Sequence, residues 1–260
     1  MKTCIAAVLL LVWGTGFSQV ATSGRPENPV AYPESEAAAA WRGLGASYVR
    51  KAIKDHTLDQ DPVLNARVDR VMAAVGAAAA AIDPRFAKST WTAILVDDFG
   101  HGAASFQGAT IIVDAKFVRK LALTDDELAL IFSHEVAHVF AGHAYEKLSF
   151  MAEFLGKDKL PTARTALLEF LAQDIYATMF RPRAHVQERE ADRIGATILF
   201  ASGYDFRQAL GLFDKLEQLE TGAEESGTHV HDAAAVRKRS VAGVIAELEQ
   251  LHARPVSDSR

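Results

Sequence analysis

His134-Glu135-Val136-Ala137-His138 lies inside an apolar stretch whose upstream end, Thr124-Asp125-Asp126-Glu127, carries a strong helix start. The Thr124 hydroxyl is placed to accept from the backbone and the Glu127 carboxylate to reach back to it, the arrangement of a capping box. Ile131, Phe132, Val136, Val139 and Phe140 surround the polar trio and mark the helix as buried. A four-residue separation puts both imidazoles on one face, one turn apart. Two imidazoles and a carboxylate in such a setting cost several kcal/mol of desolvation unless a metal or hydrogen bonds compensate. The chain must therefore fold around a core helix with one polar, metal-binding face. The spacing predicts that His134 and His138 hold a zinc ion and that Glu135 takes a proton from a water the metal activates.

A catalytic zinc requires three protein ligands and an open position. His143 is nine residues from His134, about half a turn round a continuous helix, and reads as a surface or capping histidine; only a helix break near Gly142 would bring it to the metal. In the longer metzincin spacing Gly would stand at 141 and His at 144; both are Ala, which excludes that class. Downstream, Glu188-Arg189-Glu190-Ala191-Asp192 falls in a helical stretch running on to Phe200. Glu188 and Asp192 share a face, so one can ligate while the other fixes the tautomer of a ligating histidine. Glu190 points to the opposite side and reads as a solvated partner of Arg189 or Arg193, and an ordinary amphipathic helix carries such acids too.

The 260 residues are 49% hydrophobic with a net charge of −5, ample for one globular domain and without the basic excess that nucleic acid demands. Lys2, the apolar run Ile5–Trp13 and the small residues through Ser18 have the layout of a secretory signal peptide over 1–18. The run is shorter than the roughly 20 residues of a membrane span. Cys4, the single cysteine, would leave with it, so the exported chain would be stable without disulfides. Periplasmic localisation is expected, with secretion as the alternative.

Residues 19–34 read as a linker and 35–255 as one domain. Within it, 35–56 and 62–82 are Ala-rich helices, the second opened by Asp61-Pro62. Thr90–Val96 and Thr110–Val113 are strands on either side of the Gly-rich segment 100–108, which is expected to form a turn or bulge. Residues 163–180 read as one amphipathic helix against the core.

These motifs, in this order, resemble the zinc metallopeptidases that include HtpX-type proteases and CAAX prenyl endopeptidases, a branch of the gluzincins. The likeness spans roughly residues 60–250: Asp126-Glu127-Leu128-Ala129, the His-Glu-Val-Ala-His helix, then Glu188 to Asp192. The resemblance implies Glu188 as third ligand, with Asp192 as its supporting acid. It also implies that His231 and Arg237, six residues apart, stabilise the oxyanion, although Asp232 stands where the family has Pro and His229 competes. The family's Asn-Ala-x-Ala-x-Pro-Gly-Gly segment is replaced here by Gly102-Ala103-Ala104-Ser105-Phe106-Gln107-Gly108-Ala109. Ala103 and Ala104 keep the small side chains that let a substrate strand approach. The expectation is thus an α+β, mainly helical zincin-like domain with a small β-sheet, binding one Zn2+ and hydrolysing peptide bonds of exported, misfolded or misassembled proteins. Two other readings fit the same residues: a latent, chaperone-like binder with His143 or His229 closing the metal site, and a structural zinc protein with four ligands.

Overall fold

The computed structural model describes residues 32–156, 160–222 and 232–253. The signal-like stretch 1–18, and with it His229 and His231, lies outside the described residues.

Helix α1 (Glu34–Lys54) is followed by α2 (Pro62–Ile82), where the Asp61 carboxylate accepts from the amides of Val63 and Leu64 and Pro62 occupies the first turn. Leu64, Val68, Val71, Met72, Val75, Ala79 and Ile82 then form a buried stripe at helical spacing. The sheet comprises β1 (Thr92–Val96), β2 (Ala103–Phe106) and β3 (Thr110–Asp114), ordered β1-β3-β2. β1 runs parallel to β3, with Thr92 opposite Thr110; β2 runs antiparallel to it, with Ala104 opposite Ile112. The Gly-rich segment is therefore not just a turn: it supplies an edge strand, and the tight loop falls after it, where Gly108 and Ala109 take φ of +95° and +61°.

β3 is covered on both faces. Ile111 and Val113 point into one core, shared with α2, while Ile112 points into the other, shared with α1. After the short α3 (Ala115–Lys120) comes α4 (Asp125–Phe140), with its capping box formed: the Thr124 amide donates to Glu127 Oε2 at 2.7 Å and the Glu127 amide to Thr124 Oγ1 at 3.2 Å. Lys215 Nζ, 2.7 Å from Glu127 Oε2, neutralises this buried acid.

The remaining helices are α5 (His143–Leu155), α6 (Ala163–Ala172), α7 (Asp174–Ser202), α8 (Phe206–Ala209), α9 (Gly211–Gly222) and α10 (Ala234–Ala253). The stretch 163–180 is thus two helices and not one, broken where Gln173 adopts an extended φ of −127°. At the resulting corner Leu168, Leu171, Ile175 and Met179 are exposed, whereas Phe170, Tyr176 and Phe180 are buried. None of the described helices is long and apolar enough to cross a membrane.

α7 ties the two cores together. Tyr176, Phe180 and Ala184 pack into the core of α1, and Ala191, Ile194, Ile198 and Leu199 into the core of α2 and α4. It crosses α4 at Gly195, where a Cβ would lie 3.0 Å from both N and Cα of His134 and 3.1 Å from the carbonyl carbon of Ser133. These neighbours are backbone, so they cannot swing aside. Gly195→Ala is expected to destabilise the fold by about 1–3 kcal/mol, as overpacking does, read as a lowered urea midpoint. An unchanged midpoint would show that the two helices are free to part.

Candidate metal centre

The helical period brings His134 and His138 together on α4, with their Nε2 atoms 3.0 Å apart. The close crossing at Gly195 then lays α7 over them. Glu188 reaches in, its Oε2 3.2 Å from His134 Nε2 and its Oε1 3.5 Å from His138 Nε2. One donor atom from each of these three residues falls within 4.8 Å of the others, a group that can hold a metal ion. Among the described residues the group has three members.

One turn beyond Glu188, Asp192 places Oδ1 3.0 Å from His134 Nδ1. Arg237, from α10, grips the same carboxylate with two bonds, Nε to Oδ2 at 2.9 Å and Nη2 to Oδ1 at 2.7 Å. Burial alone would raise the Asp192 pKa, but the hydrogen bonds from Arg237 and His134 outweigh it and hold the carboxyl below its ordinary range. For His134, burial disfavours the charged ring, yet the bonds to Asp192 and Glu188 prevail and raise its pKa to about 9. His138 is driven well below the usual imidazole value, first by burial and then by the charge on His134. The pocket thus draws one positive charge to the place where its donors converge.

Two histidine and acid positions differ from their sequence reading. α4 ends at Phe140 with Ala141 as its cap, Gly142 adopts φ of +70°, and α5 starts in a new direction at His143. His143 is consequently no surface residue: it is 1% exposed, with its Nδ1 2.7 Å from His138 Nδ1. It stands behind His138, on the ring edge turned away from His134 and Glu188, and so does not complete or close the three-donor group. Its other nitrogen is 3.4 Å from Glu190 Oε2. Glu190 does point away from Glu188, but toward α5 and not into solvent. Gln187 braces the same junction, donating to the His143 carbonyl at 3.3 Å and to Glu146 Oε2 at 2.8 Å.

Glu135 is half-buried and has no hydrogen-bond or ion-pair partner among the described residues. It lines a cleft of about 760 Å³ together with His134, His138 and Glu188, Arg237 and the edge strand at Ala103 and Ala104. The cleft continues past Lys147 and Trp41 to the α6–α7 corner. The sequence offers His143 to the metal only through a helix break near Gly142, and that break is present; nothing in the sequence points to Lys147.

Residues 62–258 match the model of peptidase family M48. The chain belongs to peptidase family M48. As an M48 chain it is 27% identical over 156 residues to the mitochondrial metalloendopeptidase OMA1 of Arabidopsis thaliana, an overlap covering 58% of this chain and 30% of the relative. It is 26% identical over 183 residues to a putative beta-barrel assembly-enhancing protease of Vibrio cholerae, covering 66% of this chain and 37% of that protein. This M48 chain therefore spans about a third of the length of each of these curated relatives.

Proposed function

We propose that this chain is a zinc-dependent metalloendopeptidase acting on exported proteins that are misfolded or misassembled. The observation that carries the reading is the trio His134, His138 and Glu188 opening on a cleft that also holds Glu135, a carboxylate with no hydrogen-bond or ion-pair partner among the described residues. The donor set fits zinc. Bonds of roughly 2.0–2.1 Å in tetrahedral geometry imply about 3.3 Å between ligand atoms; here the two Nε2 atoms are 3.0 Å apart, and Glu188 brings Oε2 to 3.2 Å from that of His134 and Oε1 to 3.5 Å from that of His138. Three protein ligands leave room for water or a substrate carbonyl, which favours catalysis over a four-ligand structural site.

When bound, zinc supplies Lewis acidity, polarising the scissile carbonyl and making water a nucleophile near neutral pH. Glu135 accepts the proton of that water and returns it to the leaving amine. Asp192 and His143 keep the ligand rings in the tautomers that present Nε2. Arg237, clamped on Asp192, fixes positive charge at the cleft wall and, with His231, balances the oxyanion. Ala103 and Ala104 leave the edge of β2 open to an extended peptide. The signal-like stretch over 1–18 supports a periplasmic setting, and the name of the Vibrio cholerae relative supports a role in envelope protein assembly.

The test is metal removal. The purified chain is expected to contain one zinc and to digest casein; chelation should abolish digestion, and one equivalent of zinc should restore it. Digestion indifferent to the chelator would overturn the reading.

A further inference from the structure

We propose that Lys147 and Trp41 form a carboxylate-binding subsite of the cleft, selecting peptides that present an acidic side chain or a free C-terminal carboxylate beside the bond to be cut. This inference rests on the cleft being a peptidase cleft and assigns its substrate preference.

The placement follows from the break at Gly142. His143 opens α5 facing His138, and Lys147, four residues on, shares that face, so the contact that backs the metal ligand also directs Lys147 toward the cleft. Trp41 comes from α1 and is pinned by its indole N–H, which donates to the Ala144 carbonyl at 3.1 Å. The Lys147 ammonium lies 5.4 Å over the Trp41 ring. Among the described residues it has no hydrogen-bond or ion-pair partner.

The nearby acids are otherwise occupied. Glu146 receives Gln187 at 2.8 Å, Glu188 belongs to the metal-binding trio, and Glu135 is the proposed base. Burial lowers the Lys147 pKa, and the fields of Glu188, Glu135 and Glu146 only partly oppose this. A divalent ion held by the trio would take up the charge of Glu188, and the ammonium would then lack a matching acid. A cation–π contact offsets only part of the desolvation of an ammonium group. A ligand carboxylate supplies the missing acceptor, and the apolar wall of Trp41, Leu44, Phe106 and Phe180 accommodates the chain that carries it.

The experiment uses the full chain loaded with zinc and carrying Glu135→Gln, so that peptides bind without being cut. The probes are labelled peptides with Glu or Gln at each position flanking the scissile bond, each made as the C-terminal acid and amide. The carboxylate form is expected to bind about tenfold tighter, as a charge-assisted hydrogen bond allows. Lys147→Met should remove the difference, and Lys147→Glu should shift preference to Lys-containing peptides. A side-chain source appears as a Glu-over-Gln preference that survives amidation, a terminal source as a loss on amidation. Equal binding of Glu and Gln peptides together with equal binding of their C-terminal acids and amides, or a preference that persists in Lys147→Met, overturns the subsite. The same peptides given to the chain with Glu135 intact test the peptidase reading separately: cleavage without preference defeats the subsite alone, and preference without cleavage defeats the peptidase reading alone.

Discussion

Replacing Glu135 by Gln is expected to leave zinc at one per chain and lower peptide hydrolysis by about 10²–10⁴-fold, the usual contribution of a positioned general base. The two effects separate because Glu135 is the acid of this site that supports nothing else among the described residues. Glu188 contacts both ligand histidines, Asp192 holds His134 and Arg237, and Glu190 faces His143, so changing any of these alters the metal centre itself. The Gln side chain has the same shape, and its amide lines the half-buried cleft wall with less desolvation cost than the carboxylate. Fold and ligand positions should therefore persist. Single-turnover hydrolysis of a fluorogenic peptide, measured beside metal analysis of the same sample, reads both quantities. Loss of zinc in this variant, or hydrolysis within a few-fold of the unmodified chain, would remove Glu135 from the role of base.

How much of this centre is legible before folding depends on the range of the interaction. His134, Glu135 and His138 are read from spacing alone, because one helical turn determines their juxtaposition. The capping box and the Asp61 start of α2 are equally local and appear as read. Glu188 is another matter: it meets the histidines only because Gly195 lets α7 touch the backbone of α4, a packing event fifty to sixty residues away in sequence that no periodicity encodes. The residues offer it as a candidate no stronger than the acids of any amphipathic helix, and resemblance to a family selects it among them. A helix continuous through Gly142 would turn His143 away from the histidines, whereas the left-handed glycine starts a new axis and brings it behind His138. Glu190 then follows: it points away from Glu188 as its place on α7 predicts, and α5 occupies the space where the sequence alone implies solvent. The Gly-rich segment hides β2 because short strands of small residues carry little β signal, and pairing to β3, buried from Ile111 to Asp114, supplies what propensity lacks.

Removing the ring of His143 should weaken zinc binding by about 10–100-fold, the scale of lost support behind a metal ligand. For His138 to offer Nε2 to a metal, its proton must reside on Nδ1, and the acceptor 2.7 Å away is His143 Nδ1. The His143 proton then belongs on Nε2, facing Glu190 Oε2 at 3.4 Å. With a metal on His138 Nε2 the tautomers would follow one from the next, and this arrangement mirrors the support of His134 by Asp192 and Arg237 on the other flank of α7. His143→Ala breaks it at the first link. His143→Asn is expected to recover part of the affinity, because an amide oxygen near the former Nδ1 still accepts from His138 while the reach to Glu190 is lost. Since His143 is buried, its loss also leaves a cavity, so the melting temperature of the metal-free forms must be compared alongside. A positioning role predicts a fall in zinc affinity, read by competition with a chromophoric chelator, and a changed visible spectrum of the cobalt-substituted protein, both partly restored by Asn. If Ala and Asn lower the melting temperature yet leave affinity and spectrum unchanged, His143 serves only to fill the core.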